Sequence, residues 1–133
     1  TLGSIELELD EEKAPVSVKN FDKYVEDKFY DGTIFHRVID NFVAQSYRPT
    51  TVASKPSADV RAEIIGLKQD RGTIAMPRSD YMHTGDGGGF YINLITNWNL
   101  NYNYTVFGKI IMGENVLDEI EIGDSVISVR RIR

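Results

Sequence analysis

The stretch "DGTIFHRVI" (residues 31–39) predicts a buried strand that nevertheless carries a charge. It opens on an Asp-Gly turn signal and continues with the β-branched and aromatic residues that are typical of strands. Because side chains alternate between the two faces of a strand, Arg37 is expected to share a face with Phe35 and Ile39. A guanidinium keeps its charge and is rarely buried without a partner. Arg37 therefore needs either a structural partner or a role at an open surface.

The segments on either side of this strand predict a mainly β protein with two helices. "IELELD" (5–10) alternates apolar and acidic residues as a half-buried strand does, and an amphipathic helix is predicted over 15–27, with Pro15 in its first turn. Further strands are predicted in "GTIAM" (72–76), "GFYINLI" (89–95), "YTVFGKII" (104–111) and "SVISVRRI" (125–132), with a short helix in "NVLDEI" (115–120). The stretches 46–59 and 77–88 are interpreted as loops. Many short strands and two helices predict a closed antiparallel barrel with helical plugs.

Composition limits the classes of function. The chain has 133 residues, 41% of them apolar, which predicts one domain over residues 1–133. A net charge of −5 argues against nucleic acid or an anionic membrane as the main partner, and no apolar stretch is long enough to cross a membrane. The two histidines, His36 and His83, are not at metal-ligand spacing, and cysteine is absent. The sequence therefore predicts a soluble monomer without metal or cofactor.

Two interpretations of Arg37 stay open on the residues alone. In the first, it is an edge-strand arginine paired with a carboxylate. In the second, it is a fixed cation beside an apolar cleft. The residues that could contribute to this cleft are Phe42, Val43 and Gln45, which follow the strand, and Phe90, Tyr91 and Leu100, which come from elsewhere in the chain. Such a cleft suits a neutral substrate whose charge redistributes during reaction.

Five blocks of the sequence, in this order, resemble the bacterial cyclophilins, which are peptidyl-prolyl cis-trans isomerases. The blocks cover nearly the whole chain and are "APVSVKNF" (14–21), "FYDGTIFHRVI" (29–39), "RGTIAM" (71–76), "FYIN" (90–93) and "VFGKI" (106–110). The resemblance implies a closed eight-stranded antiparallel β-barrel capped by two α-helices. It also implies an open groove that takes extended proline-containing polypeptides, without a cofactor. Overall similarity leans toward the exported bacterial members, which favours the periplasm over the cytoplasm.

The resemblance also assigns site residues by position. Arg37 corresponds to the family's catalytic arginine, and Gln45 to the glutamine of the groove. The substrate-binding positions correspond to Phe42, Val43, Pro77, Arg78, Gly89, Tyr91, Leu100 and Tyr104. Tyr91 stands where a phenylalanine is usual, and its hydroxyl is expected to point to water at the groove edge.

The rim of the site departs from the family pattern. Ser46 and Tyr47 follow Gln45 where glycines are usual, and Gly88-Gly89 replaces a pair ending in glutamine. Asn99 precedes Leu100, whereas Trp98 lies one residue earlier than the family's tryptophan, which implies weak binding of cyclosporin. The alternative function is therefore a proline-peptide-binding or chaperone module of the same fold with reduced or no turnover.

Overall fold

Six antiparallel strands form one sheet in the computed structural model, which describes residues 2–47, 61–64, 67–77 and 89–132. The strands are β1 (Glu6–Leu9), β2 (Ile34–Ile39), β3 (Val43–Tyr47), β4 (Thr73–Met76), β5 (Phe90–Asn93) and β6 (Thr105–Met112). The helices are α1 (Pro15–Glu26) and α2 (Glu114–Leu117), with a 3₁₀ turn at Trp98–Leu100. The order across the sheet is β1-β6-β4-β5-β3-β2. In the described part of the chain, no helix is long and apolar enough to span a membrane.

The prediction of a closed eight-stranded barrel is wrong in both strand number and closure for the described residues, where β1 and β2 lie at the two edges of a six-stranded sheet. The strand expected at 125–132 is reduced to one bridge, between Ser125 and Ile34. Beyond it the Val129 amide donates to the Asp31 carboxylate at 3.1 Å instead of to a strand. Ile127 and Ile132 are 65% and 58% exposed, whereas Val126 and Val129 of the same segment pack partly buried against the core. Alternation alone does not make a strand when no neighbouring strand accepts its hydrogen bonds.

Strand β3 shows the opposite error. The sequence predicted no strand over Val43–Tyr47, where polar residues interrupt the apolar pattern. In the structure this segment lies between β2 and β5 and pairs with both. Two ladders satisfy its backbone, which compensates for a weak intrinsic preference for strand.

Helix α1 covers one face of the sheet, called here the core face. The apolar spacing of Val18, Phe21 and Val25 predicts one inward stripe; Val18 and Phe21 are buried, and Val25 is partly buried. Tyr24 is buried beside them. The ring of Phe21 lies 5.0 Å from that of Tyr30 and 5.2 Å from that of Phe107. Aromatic side chains therefore fill the space between the core face of the sheet and helix α1.

The N-terminus of α1 is capped by a residue distant in sequence. Ala14, at the N-cap position, offers no side-chain acceptor. Instead, one carboxylate oxygen of Glu63 accepts hydrogen bonds from the Ser17 amide (2.7 Å) and the Ser17 hydroxyl (2.8 Å), and the other accepts from the Val16 amide (3.2 Å). A carboxylate here satisfies free amides and favours the positive end of the helix dipole. Glu63 thus ties residues 61–64 to the helix.

A β-bulge in β2 separates two side chains that alternation places together. Phe35 pairs with Ser46, and Arg37 pairs with Gln45, so His36 is an extra residue in the ladder. Ser46 and Gln45 are adjacent on β3 and point to opposite faces, and their partners do the same. The expectation that Arg37 shares a face with Phe35 is therefore wrong: Phe35 is buried in the core, whereas Arg37 is exposed.

Candidate functional site

One row of register partners crosses the face opposite α1, called here the groove face. Arg37 pairs with Gln45, Gln45 pairs with Tyr91, Tyr91 pairs with Ala75, and Ala75 pairs with Val106. The row crosses five strands in the order β2, β3, β5, β4 and β6, which differs from their order in the chain. Antiparallel pairing, rather than sequence proximity, thus brings the cation at one end onto the same face as the apolar residues at the other.

A cleft of about 220 Å³ opens on this face. Eight of the ten predicted site residues line it, namely Arg37, Phe42, Val43, Gln45, Pro77, Tyr91, Leu100 and Tyr104. The other two are not placed in it, and the expectation that Phe90 contributes to the cleft is wrong, because Phe90 is buried in the core. Gly89 is buried immediately before β5 and is absent from the residues that line the cleft, and Arg78 lies outside the described residues.

The wall and floor of the cleft are apolar. Val43, Ala75, Tyr91 and Val106 are buried together, and Phe42, Leu67, Leu100 and Tyr104 pack against them while remaining partly exposed. The Tyr91 and Tyr104 rings meet edge to face, with centroids 5.9 Å apart and planes at 88°. The arrangement offers a compact apolar recess for a small ring or aliphatic group.

Arg37 is held at the mouth of the cleft by uncharged groups. Its Nη1 donates to Gln45 Oε1 at 3.2 Å, and its Cζ lies 5.8 Å from the centroid of the Phe42 ring. Within the described ranges, no carboxylate lies within ion-pair distance of it. A guanidinium has five N–H donors, so most of its donors are not used by the hydrogen bond to Gln45. In the described part of the chain, the structure gives no support to the interpretation of Arg37 as half of an ion pair.

Arg71, unlike Arg37, is an arginine with a structural role. Its Nε lies 2.8 Å from the Glu114 carboxylate, its Nη2 lies 3.1 Å from that of Asp118, and it also donates to the Leu94 carbonyl. The hydrogen bond to Asp118 raises the pKa of Arg71, opposed by desolvation and reinforced by Glu114. This side chain joins α2 to the strand region and has no part in the cleft.

Three buried amide side chains, called here the amide cluster, lie behind the cleft: Gln69, Asn93 and Asn97. The Tyr91 hydroxyl donates to Gln69 Oε1 at 2.8 Å, and Asn93 Nδ2 donates to the same oxygen at 2.8 Å. Asn97 Nδ2 donates to Asn93 Oδ1 at 2.8 Å and to the Phe42 carbonyl at 3.0 Å. The expectation that the Tyr91 hydroxyl points to water is therefore wrong, since it is hydrogen-bonded inside the protein.

Sequence reasoning assigned no role to the amide cluster. Isolated Gln and Asn residues have no periodicity that would mark them as buried. The one available signal was the tyrosine at a buried groove-face position, because a buried phenol usually finds a hydrogen-bond partner. As to metals, the described residues contain no group of three or more acidic or histidine side chains that could hold an ion.

Comparison with known sequences gives one consistent family. The sequence model of the cyclophilin type peptidyl-prolyl cis-trans isomerase/CLD family matches residues 1–131. A peptidyl-prolyl cis-trans isomerase of Acinetobacter baylyi is 42% identical over 127 residues, which are 90% of this chain and 67% of that protein. Peptidyl-prolyl cis-trans isomerase A of Dickeya dadantii is 43% identical over 127 residues, 89% of this chain and 66% of that protein. The chain thus spans about two thirds of the length of these two relatives.

Comparison with solved structures agrees with the sequence relatives. A cyclophilin type peptidyl-prolyl cis-trans isomerase of Cryptosporidium parvum, crystallised in the presence of the dipeptide Ala-Pro, superposes with a TM-score of 0.81. The two sequences are 30% identical, and the superposition covers 99% of this chain and 87% of the other.

Proposed function

The chain belongs to the cyclophilin-type peptidyl-prolyl cis-trans isomerases, and from that premise we propose that the cleft beside Arg37 is the place where X–Pro bonds of polypeptides rotate. The observation that carries the proposal is the cleft itself, which the Arg37 guanidinium lines together with an apolar recess. The Cryptosporidium neighbour was crystallised in the presence of Ala-Pro, which supports a proline-containing ligand for this fold.

The chemistry required is small but specific. Amide resonance sets a rotation barrier of ~18–20 kcal/mol, so an X–Pro bond isomerises in tens to hundreds of seconds. At the twisted transition state the prolyl nitrogen becomes pyramidal and its lone pair localises. A hydrogen bond donated to that nitrogen is stronger in the transition state than in the ground state. This difference in strength is the condition for catalysis.

Arg37 is suited to supply this donor. Its contact with Gln45 fixes one end of the planar guanidinium, while other N–H groups are left for substrate. No proton transfer or covalent intermediate is needed. Electrostatic stabilisation by a group already in position avoids reorganisation during the reaction.

The apolar recess would hold the prolyl ring while the residue before it rotates. Phe42, Val43, Tyr91, Leu100 and Tyr104 line the recess, and Pro77 lies at its side. Gln45 has a double role in the proposal, because it orients Arg37 and can also bond to a substrate carbonyl. Binding of the ring on one side of the bond and free rotation on the other are what an isomerase needs.

The proposal is tested by Arg37→Ala, measured by NMR exchange on a tetrapeptide that contains Ala–Pro. We expect kcat/KM to fall by about 10²-fold or more, equivalent to about 2.7 kcal/mol of transition-state stabilisation, with an unchanged thermal melt. Arg37→Lys should also be poor, because an ammonium does not reproduce the planar fork. The matched control is Arg130→Ala, an exposed arginine away from the cleft, which should keep full activity.

Two outcomes would contradict the proposal. Near-normal turnover by folded Arg37→Ala would show that Arg37 is not the electrostatic group. A native protein that binds the tetrapeptide but does not exchange its isomers would instead be a proline-peptide-binding module.

A further inference from the structure

Gln69 is completely buried, and its polar groups are hydrogen-bonded in several directions. Its side-chain oxygen accepts from the Tyr91 hydroxyl and from Asn93, each at 2.8 Å. Its amide nitrogen Nε2 makes a longer contact of 3.5 Å with the Tyr104 carbonyl. Its backbone N–H donates to Asn101 Oδ1 at 2.8 Å, and its backbone carbonyl accepts from the Asn97 amide at 2.9 Å.

These bonds lead to separate parts of the cleft wall. Tyr91 belongs to β5, Tyr104 directly precedes β6, and Asn101 directly follows Leu100 at the end of the 3₁₀ turn. Tyr91, Leu100 and Tyr104 all line the cleft. Gln69 thus joins three points of the cleft wall that lie 22, 32 and 35 residues after it in the sequence.

The hydrogen bonds also fix the orientation of both partners. Two donors converge on Gln69 Oε1, so the side-chain amide has one orientation in which its oxygen meets both of them and its nitrogen faces Tyr104. The Tyr91 ring is held by β5 at one end and by its hydroxyl at the other. Its edge-to-face contact with Tyr104 is thereby set before any ligand arrives.

We propose that Gln69 is a positioning residue for the prolyl-ring pocket, acting through the Tyr91 hydroxyl. The inference rests on the proposed function, since it assumes that the recess receives the ring. A pocket formed in advance spares the ordering cost that binding would otherwise carry. Gln69 does not touch the peptide, so its loss should weaken binding and raise KM, with kcat little changed.

The test compares Gln69→Met, Tyr91→Phe and the double variant. Methionine keeps roughly the length of glutamine and removes the acceptor, whereas phenylalanine keeps the ring and removes the donor. Loss of one neutral hydrogen bond corresponds to about a fivefold change. We therefore expect the Kd for an Ala–Pro tetrapeptide, from NMR titration, to rise about fivefold in each single variant. The double variant should be little worse than either, because both singles remove the same bond.

Thr73→Val is the matched control. The Thr73 hydroxyl accepts from Asn93 at 2.9 Å and donates to the Asp70 carbonyl at 2.7 Å, so it belongs to the same polar network on the side away from the cleft. This variant should lower the melting temperature while leaving the Kd for the tetrapeptide unchanged. A merely structural role for Gln69 predicts that Gln69→Met behaves in the same way.

Several results would overturn the inference. It fails if Gln69→Met has the native Kd, if it weakens binding no more than Thr73→Val, or if the single effects multiply in the double variant. Should Gln69→Met not fold, Tyr91→Phe decides, since a native Kd there shows that the hydroxyl bond does not position the ring. The Kd is independent of turnover, so an inactive native protein would reject the proposed function and still leave the role of Gln69 open to measurement.

Discussion

On one side of β5, Phe90 and Ile92 are buried in the core that helix α1 covers, and on the other side Tyr91 lines the cleft. Phe90 has aromatic neighbours, with ring centroids 5.5 Å from Tyr30 and 6.2 Å from Phe35. Among the described residues, Tyr91 meets the Tyr104 ring edge to face and donates a hydrogen bond to the buried Gln69 side chain. Adjacent residues of one strand thus have different environments. Phe90 is held by packing alone, whereas Tyr91 is held by packing and by a hydrogen bond.

The difference reflects what each face must do. The core face is filled from both sides, and close packing alone holds its side chains in place. The groove face must keep its shape when no peptide is bound, and at the cleft its side chains have no packing partner on the open side. Register with neighbouring strands and the amide cluster take over that task. Changes on the core face should therefore affect stability, and changes on the groove face should affect binding and catalysis.

The largest expected effect is on the core face. Phe107→Ala should reduce the free energy of unfolding by about 3–5 kcal/mol, because Phe107 is completely buried and packs against Phe21, with the two ring planes tilted by 48°. Urea unfolding would measure this, with exposed Ile127→Ala as the control expected within about 0.5 kcal/mol of native. The kcat/KM per folded molecule should stay native. A large loss of kcat in the folded fraction would show that the two faces are coupled.

A smaller loss of stability is expected when the helix that covers the core face loses its cap. Glu63→Ala should reduce the free energy of unfolding by about 2 kcal/mol, because charge-assisted bonds to the Ser17 amide and hydroxyl are lost together. Glu63→Gln keeps an acceptor and should lose less. Hydrogen exchange of the α1 amides, followed by mass spectrometry, would localise the effect. Equal losses in both variants would mean that the negative charge, rather than the acceptor geometry, stabilises the helix.

The smallest expected effect is a gain on the groove face. Gly89→Gln restores the residue that the family resemblance implies, directly before Phe90 at the start of β5. Gly89 itself is buried and does not line the cleft, but it lies two residues before Tyr91, so alternation directs an added side chain to the groove face. One added neutral hydrogen bond to peptide backbone is worth about 1 kcal/mol, so the KM for the tetrapeptide should fall about fivefold with little change in kcat. Gly89→Ala is the control for the backbone, because it adds a Cβ without the amide. If both variants bind more weakly, Gly89 has a conformation that only glycine adopts.

Local patterns were sufficient for the elements that can be recognised one at a time. The helix predicted over 15–27 is confirmed as Pro15–Glu26, because Pro15 and the spacing of Val18 and Phe21 are local signals. The strand predicted within residues 31–39 is confirmed as Ile34–Ile39, but the expectation that it is buried is wrong, because Phe35 is its one buried residue. The ordered blocks of the family resemblance, which the family match confirms, identified the residues that meet in the cleft. Their catalytic and binding roles stay proposals.

What only the tertiary structure decided depends on partners far away in the chain. The bulge at His36 turns Arg37 away from the core, and it exists only because β2 pairs with β3 in that register. The 125–132 segment has the pattern of a strand but lacks neighbouring strands to pair with it along its length. No sequence pattern marks Gln69 as buried. Its burial depends on Tyr91, Asn93 and Asn101, which form hydrogen bonds with its polar groups. Periodicity indicates which face of an element a residue prefers. The register between strands and the hydrogen-bond partners of buried polar groups are instead set by contacts between segments that are distant in the chain.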